Sequence, residues 1–330
     1  MSNASSLKAQ IKAEALRLGF SACGIASVVP VEEEAWKHFT QWLENGYQAD
    51  MHYLERYADL RRDPSLLLEG AQSIISLALS YYPPQLQKEN TYQLAWYAYG
   101  KDYHDVVKSK LHQLLEFIHT IQPNVQGRIC VDTAPLLEKY WAEQAGIGWI
   151  GKHTQLILPK KGAAFVLGEL LLDFELPADL PQKNRCGDCK RCLETCPAQA
   201  LIESTQINSK ENTCGYGQSF LDARRCLSYQ TIENRNATLS TETVEALDER
   251  IYGCDACQKA CPHTRYANAE ETPKEFHPSS ELMALEKEDW QILSLETYRR
   301  LFKGSAVKRA KYEGLLRNIQ AVKGKSCPKK

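Results

Sequence analysis

Apolar residues recur at helical spacing from the start of the chain: Leu7, Ile11, Ala15 and Leu18 share one face of a helix predicted over residues 5–18, which Gly19 ends. Residues 20–29 then run apolar as a short strand, with Cys23 in it as a small buried hydrophobe. A second helix over 32–43 sets Trp36, Phe39 and Leu43 on one face, and Asn45-Gly46 closes it. After a polar, arginine-bearing stretch at 51–63, Pro64 opens a helical turn. Residues 74–82 form an apolar run with β-branched and aromatic members and predict a buried strand. The clearest helical pattern covers 106–121, with Val107, Leu111, Leu114, Leu115 and Ile118 inward. Strands are predicted at 128–132, 156–159 and 163–173, with a helix running to Ala145 after Pro135. This order predicts a mixed α/β domain over residues 5–175 and a proline-bounded linker at 177–181.

Beyond the linker, cysteine spacing replaces hydrophobic periodicity as the main signal. Cys186, Cys189, Cys192 and Cys196 make a C-x2-C-x2-C-x3-C-P run, and Cys254, Cys257 and Cys261 make a second run ending in Pro262. The first spacing is the one by which bacterial ferredoxins hold iron–sulfur clusters: three close thiolates serve one cluster and the fourth, before proline, serves the other. Two 4Fe-4S clusters need eight thiolates and the runs supply seven, so Cys214 or Cys226, both lying between them, is the eighth. A structural zinc site needs only four ligands and leaves the other cysteines unexplained. A 330-residue chain has no need of a disulfide framework. The cluster domain is expected over 176–270, with a helix at 241–249. Residues 271–330 are expected to be a helical C-terminal segment, with helices at 295–302 and 311–319 and an incidental Cys327.

At 43% hydrophobic and 25% charged residues the chain has ordinary globular composition. No apolar run approaches the roughly 18 residues of a membrane span, and residues 1–6 lack signal-peptide character, so a cytoplasmic protein is expected. The net charge of −1 hides an asymmetry. Residues 299–330 hold eleven of the 40 Lys and Arg and one of the 41 acids, a charge of +10 against −11 for the remainder. Such a basic tail is either a polyanion contact or a solvated terminus.

Three local features bear on chemistry. Residues 96–103 concentrate Trp96, Tyr97, Tyr99 and Tyr103 around Gly100, as core or as a site wall with His104. Asp132 stands at the end of a predicted strand, either as a cap for the helix beyond Pro135 or as a general acid whose pKa burial would raise. Gly146, Gly148 and Gly151 mimic a dinucleotide fingerprint, but the run follows a helix and precedes a strand, which excludes that reading. These glycines are expected to allow a tight turn or close approach to a bulky ligand.

Taken together, RRDPSLLLEGAQSII (61–75), YGKDYHDV (99–106), VDTAPLLEKYWAEQAGIGWIGKHT (131–154), CGDCKRCLETCPAQAL (186–201), LDARRCLSYQTIE (221–233) and GCDACQKACPH (253–263) resemble the epoxyqueuosine reductases of tRNA queuosine biosynthesis. The resemblance implies an α+β protein: an N-terminal cobalamin-binding domain related to that of reductive dehalogenases, a ferredoxin-like domain with two 4Fe-4S clusters, and a short helical basic C-terminus. It implies reduction of the epoxide of epoxyqueuosine in the tRNA anticodon loop, with electrons from an external donor relayed by the clusters to cobalamin. It makes Asp132 the proton donor and Cys226 the eighth thiolate. One cluster is then held by Cys186, Cys189, Cys192 and Cys261, and the other by Cys196, Cys226, Cys254 and Cys257. Arg61, Asp132 and the segments around Ala95, Leu156, Ser228 and Asp255 are implied cobalamin contacts, and the protein is expected to be a monomer. The stretch between Cys196 and Cys226 is longer than is usual in the family. Many members also carry helical repeats that grip tRNA, for which the basic tail is expected to substitute. Two alternatives use the same parts: a dehalogenase-like reductase of a small molecule, for which tRNA would be irrelevant, and a non-catalytic electron carrier, for which the N-terminal domain would be superfluous.

Overall fold

The structure, a computed structural model, describes residues 3–203 and 219–324. Its centre is the apolar run anticipated at 74–82, which forms β2 (Ser73–Ser80) with every residue buried. β2 lies between β1 (Ala22–Ser27) and β7 (Phe165–Leu172), and β4 (Gly127–Cys130) completes a four-stranded sheet of order β1-β2-β7-β4, antiparallel throughout. Both faces of β2 are dry because helices cover both. Ile75, Leu77 and Leu79 pack in the core with α1 (Asn3–Arg17) and α4 (Tyr103–Ile121). Ile74 and Ala78 point the opposite way, toward the side covered by α5 (Glu138–Gln144), as the two-residue period of a strand requires. Gly168 lets α4 approach β7: a Cβ there would stand 2.5 Å from Val107 Cγ1.

Around this sandwich lie α2 (Glu33–Glu44), α3 (Ala58–Arg62) and the short hairpin of β5 (Trp149–Ile150) with β6 (Leu156–Ile157). Two of the run's glycines allow close packing in that hairpin, since a Cβ on Gly148 would meet Ile157 O at 2.3 Å and one on Gly151 would meet Ile157 Cδ1 at 2.6 Å, while Gly146 makes room for Leu180 O. The predicted linker is a strap. Asp179 accepts from Ile25 N at 2.9 Å and forms ion pairs with Lys8 and Lys12 at 2.8 and 2.6 Å, fastening residues 177–181 across α1 and β1.

The cysteine-bearing region is joined to the sheet domain by backbone pairing: β3 (Gln93–Leu94) runs parallel to β10 (Arg250–Tyr252). Within it, α6 (Arg191–Thr195) packs against α9 (Ala256–Ala260), and β8 (Leu201–Glu203) pairs with β9 (Ser219–Leu221). Sequence periodicity did not indicate α7 (Leu227–Ile232), whose six residues are too few to show a repeat. The C-terminal helices, from α8 (Thr241–Leu247) through α10 (Ser280–Ala284), α11 (Lys287–Gln291), α12 (Leu295–Leu301) and α13 (Lys311–Lys323), close onto one core that runs from Ile11 to Val322. Gly100 permits this closure, because a Cβ there would meet Glu275 O at 2.4 Å. Among the described residues no helix is long and apolar enough to cross a membrane.

One buried amide ties these layers. Asn318 on α13 is wholly buried and donates to Thr231 O on α7 and Ile251 O on β10, both at 2.8 Å. Asn318→Leu would strand those carbonyls, and we expect it to cost about 1–3 kcal/mol of stability. A urea-unfolding midpoint unchanged from wild type would remove Asn318 from the scaffold.

Candidate active site

β4 ends at Cys130, and two residues later Asp132 takes a left-handed backbone conformation with φ +52°. Its N–H donates to Glu138 Oε1 in the first turn of α5, which fixes this unusual geometry. Its carboxylate faces α4, where Asp102 caps the helix by accepting His104 N at 3.0 Å. His104 bridges two carboxylates, with Nδ1 2.7 Å from Asp102 Oδ1 and Nε2 3.1 Å from Asp132 Oδ2. Both ring nitrogens therefore face acceptors, which is the environment of an imidazolium. The bonds to Asp102 and then Asp132 raise the His104 pKa to about 9 against the opposing effect of burial. Tyr103 stacks on His104 with ring centroids 4.2 Å apart and also bonds Asp132.

This arrangement corrects the expectation that burial would keep Asp132 protonated. Burial does push its carboxyl up, but the bonds from His104 and Tyr103 outweigh it and hold the pKa below the ordinary value. The resting proton sits on His104. The Asp132 side chain is 55% exposed, open to solvent on the side away from His104 and Tyr103.

Behind Asp132 lie two acids. Glu169, on the α5 face of β7, is fully buried and meets both Ser76, at 3.4 Å, and the Glu138 carboxyl. Burial, then the Asp132 charge, raises the Glu138 pKa to about 8, and burial, then Glu138, raises that of Glu169 further. Lys139 is held below its usual pKa by burial and donates to Thr154 O at 2.8 Å. It stands within electrostatic reach of both Asp132 and Cys257. On the rim, Arg309 grips Glu233 through two bonds of 2.7 Å and acts on Asp132 and Tyr53. Sequence reasoning missed Glu138, Glu169, Lys139 and Arg309. The available signal was Glu169, a lone acid inside the apolar run 163–173.

The cysteines fall into two neighbourhoods. Burial pushes the Cys192 thiol up to about 11, and Cys186, Cys261 and Cys189 add to it. Burial likewise raises Cys257, with Cys254, Cys226 and Cys196 adding to it. Each group draws on both runs because α6 and α9 lie side by side, so the cysteine ending each helix faces the other run. Backbone N–H groups point at the sulfurs: Ala200 N donates to Cys196 Sγ at 3.2 Å, and those of Tyr229 and Ser228 reach Cys226. Cys214, the rival for eighth thiolate, and Cys327 lie outside the described residues.

The remaining residues named from sequence stand in two places. Arg61 is buried and bonds Tyr53 O and Arg56 O at 3.3 Å, on the Asp132 side. Asp255 accepts Trp96 N at 2.9 Å, the residue after Ala95, and Ser228 adjoins Cys226, both on the cysteine side. Leu156 is buried in the hairpin with Ile150.

The His104 pair carries a pH signature. Folding raises the imidazole pKa, so its stabilisation is complete below the ordinary value of 6.5 and is lost as pH rises through about 9. We expect His104→Gln to lower the urea-unfolding midpoint clearly near pH 6 and hardly at all near pH 10. A difference that stays level or widens with pH would contradict the pair.

Comparison with known proteins agrees with this architecture. Residues 61–133 match the family model described as "Epoxyqueuosine reductase QueG, DUF1730", and residues 185–264 match "4Fe-4S double cluster binding domain". The epoxyqueuosine reductase of Cellulophaga algicola is 42% identical across 95% of this chain and 97% of its own. Among solved structures, an epoxyqueuosine reductase crystallised with a tRNA-Tyr epoxyqueuosine-modified stem loop superposes with TM-score 0.83 at 26% identity, over 97% of this chain and 81% of that one. The enzyme of Bacillus subtilis, in a state with its catalytic aspartate loop swung out of the active site, superposes with TM-score 0.84 at 25% identity, over 97% and 82%. With near-complete coverage at 42% identity, a double-cluster domain and a matching fold throughout, the chain belongs to the epoxyqueuosine reductases.

Proposed function

We propose that this enzyme reduces the epoxide of epoxyqueuosine, within a tRNA anticodon loop, to the alkene of queuosine. Two electrons and two protons enter, both C–O bonds break, and the oxygen leaves as water. The observation that carries this reading is that the fold holds together a proton-bearing pair, Asp132 and His104 at 3.1 Å, and two groups of four cysteines, with Lys139 in the field of both Asp132 and Cys257.

Cys186, Cys189, Cys192 and Cys261 would hold one 4Fe-4S cluster, and Cys196, Cys226, Cys254 and Cys257 the other. The N–H groups facing Cys196 and Cys226 would stabilise the sulfur charge and tune the potential. For cobalamin, the fit lies in polar atoms that need a partner. His153 Nε2 and Thr154 Oγ1, in the loop before Leu156 and beside Lys139, are buried with no hydrogen-bond partner among the described residues, and polar groups on the rim of a corrin are of the kind that would satisfy them. Arg61, Ala95, Asp132, Ser228 and Asp255 are the further contacts we assign. When bound, the clusters supply single electrons at low potential and cobalamin a carbon-directed nucleophile or reductant.

The protein's own part is proton delivery. Asp132 presents its carboxylate to the epoxide oxygen while His104, 3.1 Å away, holds the proton. Transfer from Nε2 to Oδ2 makes the neutral acid as the leaving oxygen gains charge, and Asp102 keeps the imidazole oriented. Lys308, exposed beside Arg309, is suited to anticodon-loop phosphates, whereas the Arg309 guanidinium is taken up by Glu233. Arg317 is not free for this, because it binds the carbonyls of Gln230, Asn234 and Asn236. Such a substrate places the reaction in the cytoplasm, and we expect a monomer supplied by an external electron donor.

Asp132→Asn should retain iron and cobalamin while losing about 10²–10⁴-fold in turnover, read as queuosine formed anaerobically with a chemical reductant by nucleoside mass spectrometry. Undiminished turnover would take Asp132 out of the mechanism. Cys226→Ser should lower iron from about eight toward about four atoms per chain, and Cys214→Ser should leave it unchanged. The reverse result would move the eighth thiolate to Cys214.

A further inference from the structure

Glu169 and Glu138 form a second acid–acid contact that proton delivery by Asp132 does not itself use. Glu169 lies opposite Cys130 in the β4–β7 register and opposite Ser76 in the β2–β7 register, at the dry centre of the sheet. Its Oε1 faces the Ser76 hydroxyl, while its Oε2 is buried with no donor among the described residues. The Glu138 carboxyl, within hydrogen-bond reach, brings no proton of its own if ionised. Glu169 is wholly buried and Glu138 half-buried against it, so two charges in contact there are strongly disfavoured and one proton lies between them. Glu138 accepts the Asp132 N–H, which favours charge on Glu138 and places the proton on Glu169.

We propose that Glu138 and Glu169 share one proton and act as a latch that holds Asp132 in its inward, left-handed conformation, making both acids positioning residues for proton delivery. This rests on the reading of Asp132 as proton donor. The chain of contacts runs from Ser76 and Glu169 on the sheet, through Glu138 on α5, to the Asp132 backbone, so the rigid sheet sets the position of a residue on a loop. Without the proton the two acids repel, Glu138 withdraws and the Asp132 N–H loses its acceptor. The other groups facing the pair are Cys130 on β4, whose thiol burial pushes up to about 12 and keeps neutral, Lys139 beside Glu138, Tyr103 on α4, whose hydroxyl burial keeps neutral, and the Asp132 carboxylate itself. Burial raises the pKa of both latch acids, which agrees with a proton retained at neutral pH.

The test compares wild type with Glu169→Gln and Glu169→Leu in the full-length, cluster-loaded protein. Gln donates an amide hydrogen to Glu138 permanently, whereas Leu fills the space and donates nothing. Hydrogen exchange of the 130–134 segment, read by mass spectrometry as a protection factor, should show wild type protected near neutral pH and losing protection only in the alkaline range, where Glu169, held well above the ordinary carboxylate range by burial and then by Glu138, gives up its proton. Glu169→Gln should stay protected across that range, and Glu169→Leu should be unprotected at every pH. In turnover with modified tRNA, Glu169→Leu should lose up to about 10²-fold in kcat at unchanged KM, and Glu169→Gln should remain near wild type. Equal protection in all three proteins would overturn the latch, and a Gln variant as unprotected as the Leu variant would overturn the shared proton. Exchange does not require turnover, so Asp132→Asn with full activity would refute the proton-donor reading while leaving the exchange result to decide the latch.

Discussion

The pairing of β2 with β7, dry on both faces, is the constraint from which the rest of the molecule follows. One face of this ribbon takes the apolar knobs of α1 and α4, and the stability of that packing pins the N-terminus of α4, hence Asp102, Tyr103 and His104. The opposite face admits a buried acid and its hydroxyl partner, Glu169 and Ser76, beneath α5. Asp132 stands between these two supports, its side chain addressed from α4 and its backbone from α5. A loop residue at positive φ is costly to hold, and here rigid elements on both sides hold it.

Proton chemistry at the site depends on where charge is compensated rather than on burial alone. Asp132 and Glu138 lie six residues apart and in hydrogen-bond contact, yet their acidities shift in opposite directions. The difference is the cation: Asp132 has the His104 imidazolium, whereas Glu138 has another acid on one side and the Asp132 charge on the other. Environments that separate the pKa values of neighbouring groups let one hold negative charge while another holds a proton.

The cysteine region is bound into the same body. The β3–β10 pairing, the contact of Asp255 with Trp96 N and the bonds of Asn318 join it to the sheet domain and to α13. This shared core fixes the position of the cysteine groups relative to the sheet domain.

The sequence by itself determined the helices and strands whose periodicity is long enough to count, from α1 through α4 to β2 and β7. It also determined the iron–sulfur identity of the cysteine runs, because ligand spacing along a chain is a local property. Asp132 was legible as a residue of interest by its place after a strand and by the family resemblance, but its charge state was not, since that depends on His104, 28 residues earlier. Glu138 and Glu169 were opaque for the same reason: nothing local tells a lone acid in an apolar strand which partner will meet it. Tertiary structure alone turned the proline-bounded linker into a strap through Asp179 and carried Arg309 from the basic tail to the neighbourhood of Asp132. Local patterns encode which face of an element is apolar. Which faces meet, and therefore which charges are paired and which protons are held, is settled only when the core closes.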